Sequence, residues 1–209
     1  MSQLALFEDE ILGPKGLRYA PDFVSVEMER ALTAHIAELP LQQFQFGAFE
    51  GHRRVKSFGY RYDYTLQKLE EAEPIPAWLG AIVREVEAFG NLPKGGVRQI
   101  LCTEYDVGVG IGWHRDKPHY GKVFGVSLGA PCRFRFRRRK GERWERFTLS
   151  TEPRSLYLLD GEARQNWEHS IPPLEQRRWS ITFRTMRSER ADDPLPNASA
   201  ERPSLASRR

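Results

Sequence analysis

Five residues in the second half of the chain have types and spacing that suit metal and carboxylate chemistry. His114 and Asp116 stand two apart in Trp113-His-Arg-Asp116, so any extended segment turns both to one face. His169 follows in Trp167-Glu-His169. Two imidazoles and one carboxylate form a facial triad, a donor set suited to Fe(II) that leaves positions open for a bidentate co-substrate and O2. An isolated His-x-Asp pair is more often a surface hydrogen-bond pair. Arg178-Trp-Ser-Ile-Thr-Phe-Arg184 then places two arginines an even number of residues apart. In a strand both share a face with Ser180 and Thr182, and Trp179, Ile181 and Phe183 take the other. Two guanidinium groups leaning together can grip the ends of a short dicarboxylate through paired charge-assisted hydrogen bonds.

These residues need a scaffold that brings distant segments together, and the sequence suggests one. Val97–Tyr105, Val123–Leu128, Arg133–Arg137, Trp144–Leu149, Leu156–Leu159 and Trp179–Arg184 read as strands. Phe134 and Phe136 point inward there with arginines outward, and Lys140-Gly141 is expected as a hairpin turn. Upstream, Ser25 caps a helix carrying Met28, Leu32, Ile36 and Leu39 and stopped by Pro40. Pro76 opens a second helix with Leu79, Ile82, Val83, Val86 and Phe89, and Gly90 suits its C-terminal cap. Phe58–Tyr64 alternates as a further strand. Two helices and then many short strands predict an α+β fold, a sandwich or jelly roll with the helices packed outside.

With 209 residues, 40% hydrophobic and 29% charged, the chain suits one globular domain over 1–187, its catalytic core over about 97–187. Ser188–Arg209 reads as a tail. The longest apolar run, Trp78–Val83, is too short to span a membrane. The N-terminus lacks the pattern of a signal peptide, and two cysteines make no disulfide framework, so the expected compartment is the cytoplasm. Net charge is only +4, but Arg133–Arg146 holds eight basic residues against two acidic ones. Such a patch attracts polyanions such as nucleic acid or forms a solvated basic hairpin.

His114-x-Asp116, His169 and Arg178 with five residues before Arg184 resemble the AlkB family of Fe(II)- and 2-oxoglutarate-dependent dioxygenases. The resemblance runs from Val97 to Arg187, through Ser127-Leu-Gly129, Phe134-x-Phe136 and Phe183-Arg184; upstream it is carried by Gly59-Tyr-x-Tyr62. It implies a double-stranded β-helix, with Fe(II) held by His114, Asp116 and His169. It implies 2-oxoglutarate held by Tyr105, Thr103, Arg178, Ser180 and Arg184, with Thr103 and Ser180 at positions where relatives carry Asn. In the implied reaction, decarboxylation of 2-oxoglutarate to succinate and CO2 accompanies hydroxylation of a substrate C–H bond by O2. An N-methyl group hydroxylated in this way is lost as formaldehyde. Methylated DNA or RNA bases are the implied substrates, reached by flipping. Tyr60, Tyr62, Tyr64 and His119 are candidates for stacking the base; Arg53, Arg54, Arg61, Arg137, Arg138, Arg139 and Lys140 are candidates for phosphates. Base-demethylating relatives usually carry an acidic residue four positions after the first metal histidine. Pro118 stands there, preceded by Lys117, which disfavours a cationic base. Hydroxylation of RNA, of tRNA or of a substrate other than nucleic acid, and a non-catalytic binding module, are the other readings. Gln3-Leu-Ala-Leu-Phe7 is similar to peptides that dock on the bacterial sliding clamp, or else packs on the core.

Overall fold

The computed structural model describes residues 13–46, 49–63 and 66–187. Gln3–Phe7, Tyr64 and Ser188–Arg209 lie outside them. In chain order the elements are β1 (Leu17–Ala20), α1 (Val26–Ala37), β2 (Gln42–Phe46), β3 (Phe49–Phe58), β4 (Tyr60–Asp63) and β5 (Lys68–Glu71). A 3-10 turn (Ala77–Leu79) runs into α2 (Gly80–Phe89). Then come β6 (Gln99–Tyr105), β7 (Ile111–His114), β8 (Tyr120–Leu128), β9 (Cys132–Lys140), β10 (Arg143–Thr151), β11 (Leu156–Leu159), α3 (Gly161–Gln165), β12 (Glu168–Ile171) and β13 (Arg178–Met186).

The strands form a seven-stranded sheet in the order β1-β11-β8-β13-β6-β3-β2, a four-stranded sheet in the order β10-β9-β12-β7, and the ribbon β4-β5. This is the expected α+β architecture of a double-stranded β-helix. Strand alternation divides the apolar residues between two cores. On the outer face of the larger sheet, Ile100, Phe124, Val126, Ile181 and Phe183 pack with Leu32 and Ile36 of α1 and Ile82 and Val86 of α2. The inner faces share Tyr105, Tyr120, Val123, Phe134, Phe136 and Leu159. β13 therefore lies between two environments: its apolar residues bury toward the helices, and Arg178, Ser180, Thr182 and Arg184 turn inward.

Ser25 caps α1 as expected, its Oγ accepting from the Met28 N–H. Gly90 ends α2 for another reason than the one expected. Its φ is −81°, so the left-handed residue of the cap is Asn91 (φ +50°), whose N–H and that of Leu92 donate to the Ala88 and Glu87 carbonyls; at Gly90 itself a Cβ would stand 2.4 Å from Phe124 Cζ. The β9–β10 register pairs Lys140 with Arg143, which moves the hairpin turn one residue on, to Gly141-Glu142. Phe58–Tyr64 is not one strand, because the chain turns at Gly59 (φ +76°) between β3 and β4. Strands β1 to β3 extend the larger sheet on both edges, so the sheet carrying β6, β8 and β13 also draws on the first half of the chain.

Candidate active site

The antiparallel pairing of β7 with β12 sets His169 directly opposite His114, with ring centroids 4.4 Å apart. Asp116 follows β7 immediately, and its Oδ2 lies 3.5 Å from His169 Nε2. The other oxygen, Oδ1, accepts from Arg184 Nε at 3.0 Å and Nη2 at 2.8 Å. Arg184 Nη1 also donates to Gln99 Oε1 at 2.7 Å. His114 Nδ1–H donates to the Gly112 carbonyl at 2.9 Å, which fixes the tautomer and leaves the Nε2 lone pair for a Lewis acid. His169 is 7% exposed and packs against the rings of Phe134 and Phe136 at 5.3 and 6.3 Å. Its buried Nδ1 has no hydrogen-bond partner. Among the described residues no three such donors are closed around one point; His114, Asp116 and His169 are adjacent, with Asp116 turned partly to Arg184.

The protonation states suit a cation. Burial, and next His114, push the His169 imidazole down to about 3. Burial likewise lowers His114, opposed by Asp116. Burial works against ionisation of Asp116, but Arg184 foremost, with both histidines, holds its carboxyl well below the usual range. The site thus presents two neutral imidazoles and one carboxylate. This has a consequence for folding. Below about pH 6.5 an unfolded chain protonates imidazoles that the metal-free fold keeps neutral, so stability falls with pH by up to about 1.4 kcal/mol per unit for His169, with His114 acting in the same direction. Asp116, depressed in the fold, adds to the loss only at lower pH, below its unfolded value of 3.8. The melting temperature of the metal-free protein is expected to drop from pH 7 to pH 5, and His169→Gln to flatten the slope. Equal slopes in the two proteins would refute this account.

Beside the triad a cavity of about 60 Å³ lies between the sheets, room for about four waters. All five expected co-substrate residues line it: Thr103, Tyr105, Arg178, Ser180 and Arg184. Arg178 is 1% exposed. Its Nε and Nη2 donate to Ser127 Oγ at 3.1 and 3.0 Å, and its guanidinium carbon lies 5.3 Å from the Tyr105 ring centroid. Nη1 is buried with no partner. A buried guanidinium without a carboxylate is costly, and the cavity in front of it has the room to admit one. Of the two arginines expected to grip a dicarboxylate, Arg178 faces the cavity with a spare donor, and Arg184 lines it while also engaging Asp116 and Gln99.

Two wider cavities, about 1220 and 740 Å³, meet at the segment from His114 to Lys117. Tyr62 stacks on His119 at 5.7 Å, with Lys117 Nζ 4.5 Å over the Tyr62 ring. Tyr60 does not join this cluster; its ring has Arg98 5.9 Å above it. Nor are Arg137, Arg138 and Arg139 brought to the cavities. They belong to the four-stranded sheet away from its mouth, where Arg137 pairs with Glu168 at 2.7 Å between Trp113 and Trp144. Arg138 pairs with Glu145 and Glu162 at 2.7 and 2.9 Å, and Arg139 donates to the Glu142 carbonyl. Arg54 pairs with Glu104 and Arg61 with Glu70, whereas Arg53 lines all three cavities. Sequence reasoning missed Gln99 and Tyr157, although strand parity puts them on the inner faces of β6 and β11. It also missed Arg164, which donates to the carbonyls of Lys117, Tyr120 and Gly121 at 2.6 to 3.1 Å and so holds the loop after Asp116. No local signal marks that role.

The profile of the 2OG-Fe(II) oxygenase superfamily matches residues 17–192. The chain is 30% identical over 193 residues to the Alkylated DNA repair protein ALKBH8 homolog of Arabidopsis thaliana, covering 81% of this chain and 54% of that one. It is 29% identical over 168 residues to the Xenopus tropicalis tRNA (carboxymethyluridine(34)-5-O)-methyltransferase alkbh8, covering 77% of this chain and 26% of that one. The chain therefore spans about half of the first relative and a quarter of the second. The solved structure of OsALKBH1 superposes with a TM-score of 0.63 at 17% identity, over 83% of this chain and 99% of that one. A Pseudomonas putida prolyl-4-hydroxylase superposes with a TM-score of 0.54 at 14% identity, over 82% and 93%. At these identities the two structures speak for the fold. Among the described residues no helix is long and apolar enough to cross a membrane.

Proposed function

Since the chain belongs to the 2OG-Fe(II) oxygenase superfamily, whose members use Fe(II), 2-oxoglutarate and O2, we propose that it oxidises an uncharged alkylated base carried on a nucleic-acid strand. In this reading His114, Asp116 and His169 hold the iron, and Arg178, Tyr105, Thr103 and Ser180 hold 2-oxoglutarate. Arg184 keeps Asp116 ionised and oriented. Residues 1–187 act as one catalytic domain with its core over 97–187, at work in the reducing cytoplasm. The donor set fits: neutral nitrogens and one carboxylate suit Fe(II), and an anionic co-substrate suits the orphaned donor of Arg178.

Iron held there would activate O2, the oxidant, with 2-oxoglutarate supplying two of the four electrons that O2 takes up; the protein supplies position and dryness. Phe134 and Phe136 keep water from the His169 side. Arg164 fixes the loop that carries Asp116 at one end and Tyr120 at the other. For the substrate, the observation that carries the reading is the wider of the two open cavities, of about 1220 Å³. It opens onto His114 and Asp116 and is lined by Arg53, Arg115, Lys117, Lys122, Arg164 and Arg187 against two carboxylates, Asp116 and Asp160. A lining so cationic favours a polyanion. The Tyr62–His119 stack supports a planar guest, and the Lys117 ammonium beside it disfavours a guest that is itself a cation. The Xenopus relative is named for a tRNA uridine, whose ring is uncharged, which supports RNA as the carrier.

The test is succinate and formaldehyde release from matched DNA and RNA oligonucleotides, some carrying neutral 3-methyluridine or N6-methyladenine and others cationic 1-methyladenine or 3-methylcytosine. The neutral bases are expected to turn over faster. Lys117→Glu is expected to shift the preference toward the cationic bases by about tenfold, about 1.4 kcal/mol in the specificity ratio. Turnover of the cationic bases alone by the unaltered enzyme would overturn the charge argument; turnover of no nucleic acid would overturn the substrate class.

A further inference from the structure

We infer that Tyr157 walls the cavity in front of Arg178 and sets the size of the 2-oxo dicarboxylic acid that the enzyme accepts. The inference rests on the reading of that cavity as the co-substrate site.

Alternation along β11 sends Leu156 and Leu158 to the helix-covered core and Tyr157 inward. A tyrosine at this point has little room, because β8 runs alongside with Gly125 opposite Tyr157 in register. The glycine resolves the conflict. A Cβ on Gly125 would stand 2.2 Å from Tyr157 Cζ and 2.4 Å from its hydroxyl oxygen, so any larger residue would occupy the space that the phenol takes. The ring therefore lies across the β8 backbone toward β13, where Thr182 pairs with the same Gly125. Phe134 backs it at a centroid distance of 4.6 Å. Arranged this way, the Tyr157 side chain enters the wall that Arg178, Ser180 and Thr182 also form. Burial raises the phenol above its usual value, so the hydroxyl keeps its proton and remains able to donate.

The enclosed volume is only about 60 Å³, and each added methylene of a guest must displace a wall. An acid whose carboxylate meets the spare Nη1 of Arg178 shares the cavity with the Tyr157 phenol, which offers a second polar group and limits the room beside the chain. Removing the ring enlarges the pocket; removing the hydroxyl alone leaves the ring in place and subtracts one hydrogen bond. The two roles are therefore separable.

The experiment is anaerobic calorimetric titration of the Mn(II)-loaded protein with oxaloacetate, 2-oxoglutarate and 2-oxoadipate, which have four, five and six carbons. The unaltered protein is expected to prefer 2-oxoglutarate over 2-oxoadipate. Tyr157→Leu is expected to reduce that preference at least about tenfold, within the range that one methylene contributes to discrimination in a tight pocket. Tyr157→Phe is expected to weaken 2-oxoglutarate about fivefold with its size preference intact, the loss of one ordinary hydrogen bond. Gly125→Ala, which displaces the ring from the other side, is expected to weaken 2-oxoglutarate without touching Tyr157, and thermal melts of each variant confirm folding. If the unaltered protein binds 2-oxoglutarate and both Tyr157→Leu and Gly125→Ala bind the three acids as it does, the role of Tyr157 is refuted while the cavity assignment stands. If the unaltered protein binds none of the acids, the cavity assignment fails and this inference with it.

Discussion

His169→Ala is expected to abolish succinate formation and to remove tight Fe(II) or Mn(II) binding, with the fold intact. The loss should exceed the roughly 10–100-fold that follows from losing a group hydrogen-bonded to a metal ligand, because the variant removes a donor atom itself. Arg184→Gln supplies that lesser case. It leaves all three donors in place but takes from Asp116 the guanidinium that holds Oδ1 at 2.8 Å, and it leaves a buried carboxylate uncompensated, which typically destabilises by about 3–5 kcal/mol. The two variants should therefore separate: His169→Ala with an intact melt and no metal affinity, Arg184→Gln with a lowered melt and an intermediate metal affinity. Turnover by His169→Ala within tenfold of the unaltered enzyme would mean that the histidines meet for structural reasons alone.

The parts of this site that were legible in the sequence are those governed by parity within a strand. Spacing of six put Arg178 and Arg184 on one face of β13, because a strand repeats every two residues, and spacing of two did the same for His114 and Asp116 on an extended segment that runs two residues past the end of β7. Phe134 and Phe136 turned inward by the same rule. Partnership across strands was not legible. That His169 lies opposite His114 is set by the pairing of β7 with β12, and no local pattern records which strand becomes a neighbour. The same limit explains Arg184, read as one jaw of a clamp and found bound to Asp116. It explains the basic run too: Glu162 and Glu168, which pair with Arg138 and Arg137, lie outside the Arg133–Arg146 segment whose charge had been counted. β1 and β2 escaped notice because they are edge strands of only four and five residues, too short for their alternation to stand out. Tyr157 was visible by parity, but its reach across β8 depends on Gly125, a residue in a different strand.

The second large effect concerns Arg178, and its direction depends on whether 2-oxoglutarate is present. Arg178 is buried with Ser127 as its hydrogen-bond acceptor, and among the described residues no carboxylate pairs with it. A desolvated guanidinium in that state is a liability to the unliganded fold. Arg178→Met keeps most of the volume and removes the charge, so without 2-oxoglutarate the variant is expected to melt at or above the temperature of the unaltered protein, as replacement of buried charge by apolar side chains often gives. In the presence of 2-oxoglutarate the order reverses. Truncating one member of a buried charge pair costs about 2–5 kcal/mol, which raises the dissociation constant from about 30-fold to several thousand-fold, so the unaltered protein gains a ligand-dependent rise in melting temperature that the variant lacks. Kinetically the defect should fall on KM for 2-oxoglutarate, with kcat at saturating co-substrate much less affected, as the proposed role of the guanidinium at the carboxylate remote from the breaking bond requires. A variant that melts lower than the unaltered protein both with and without 2-oxoglutarate, by the same margin, would make Arg178 a structural member of the β8–β13 interface and remove the main physical reason for reading the small cavity as a carboxylate site.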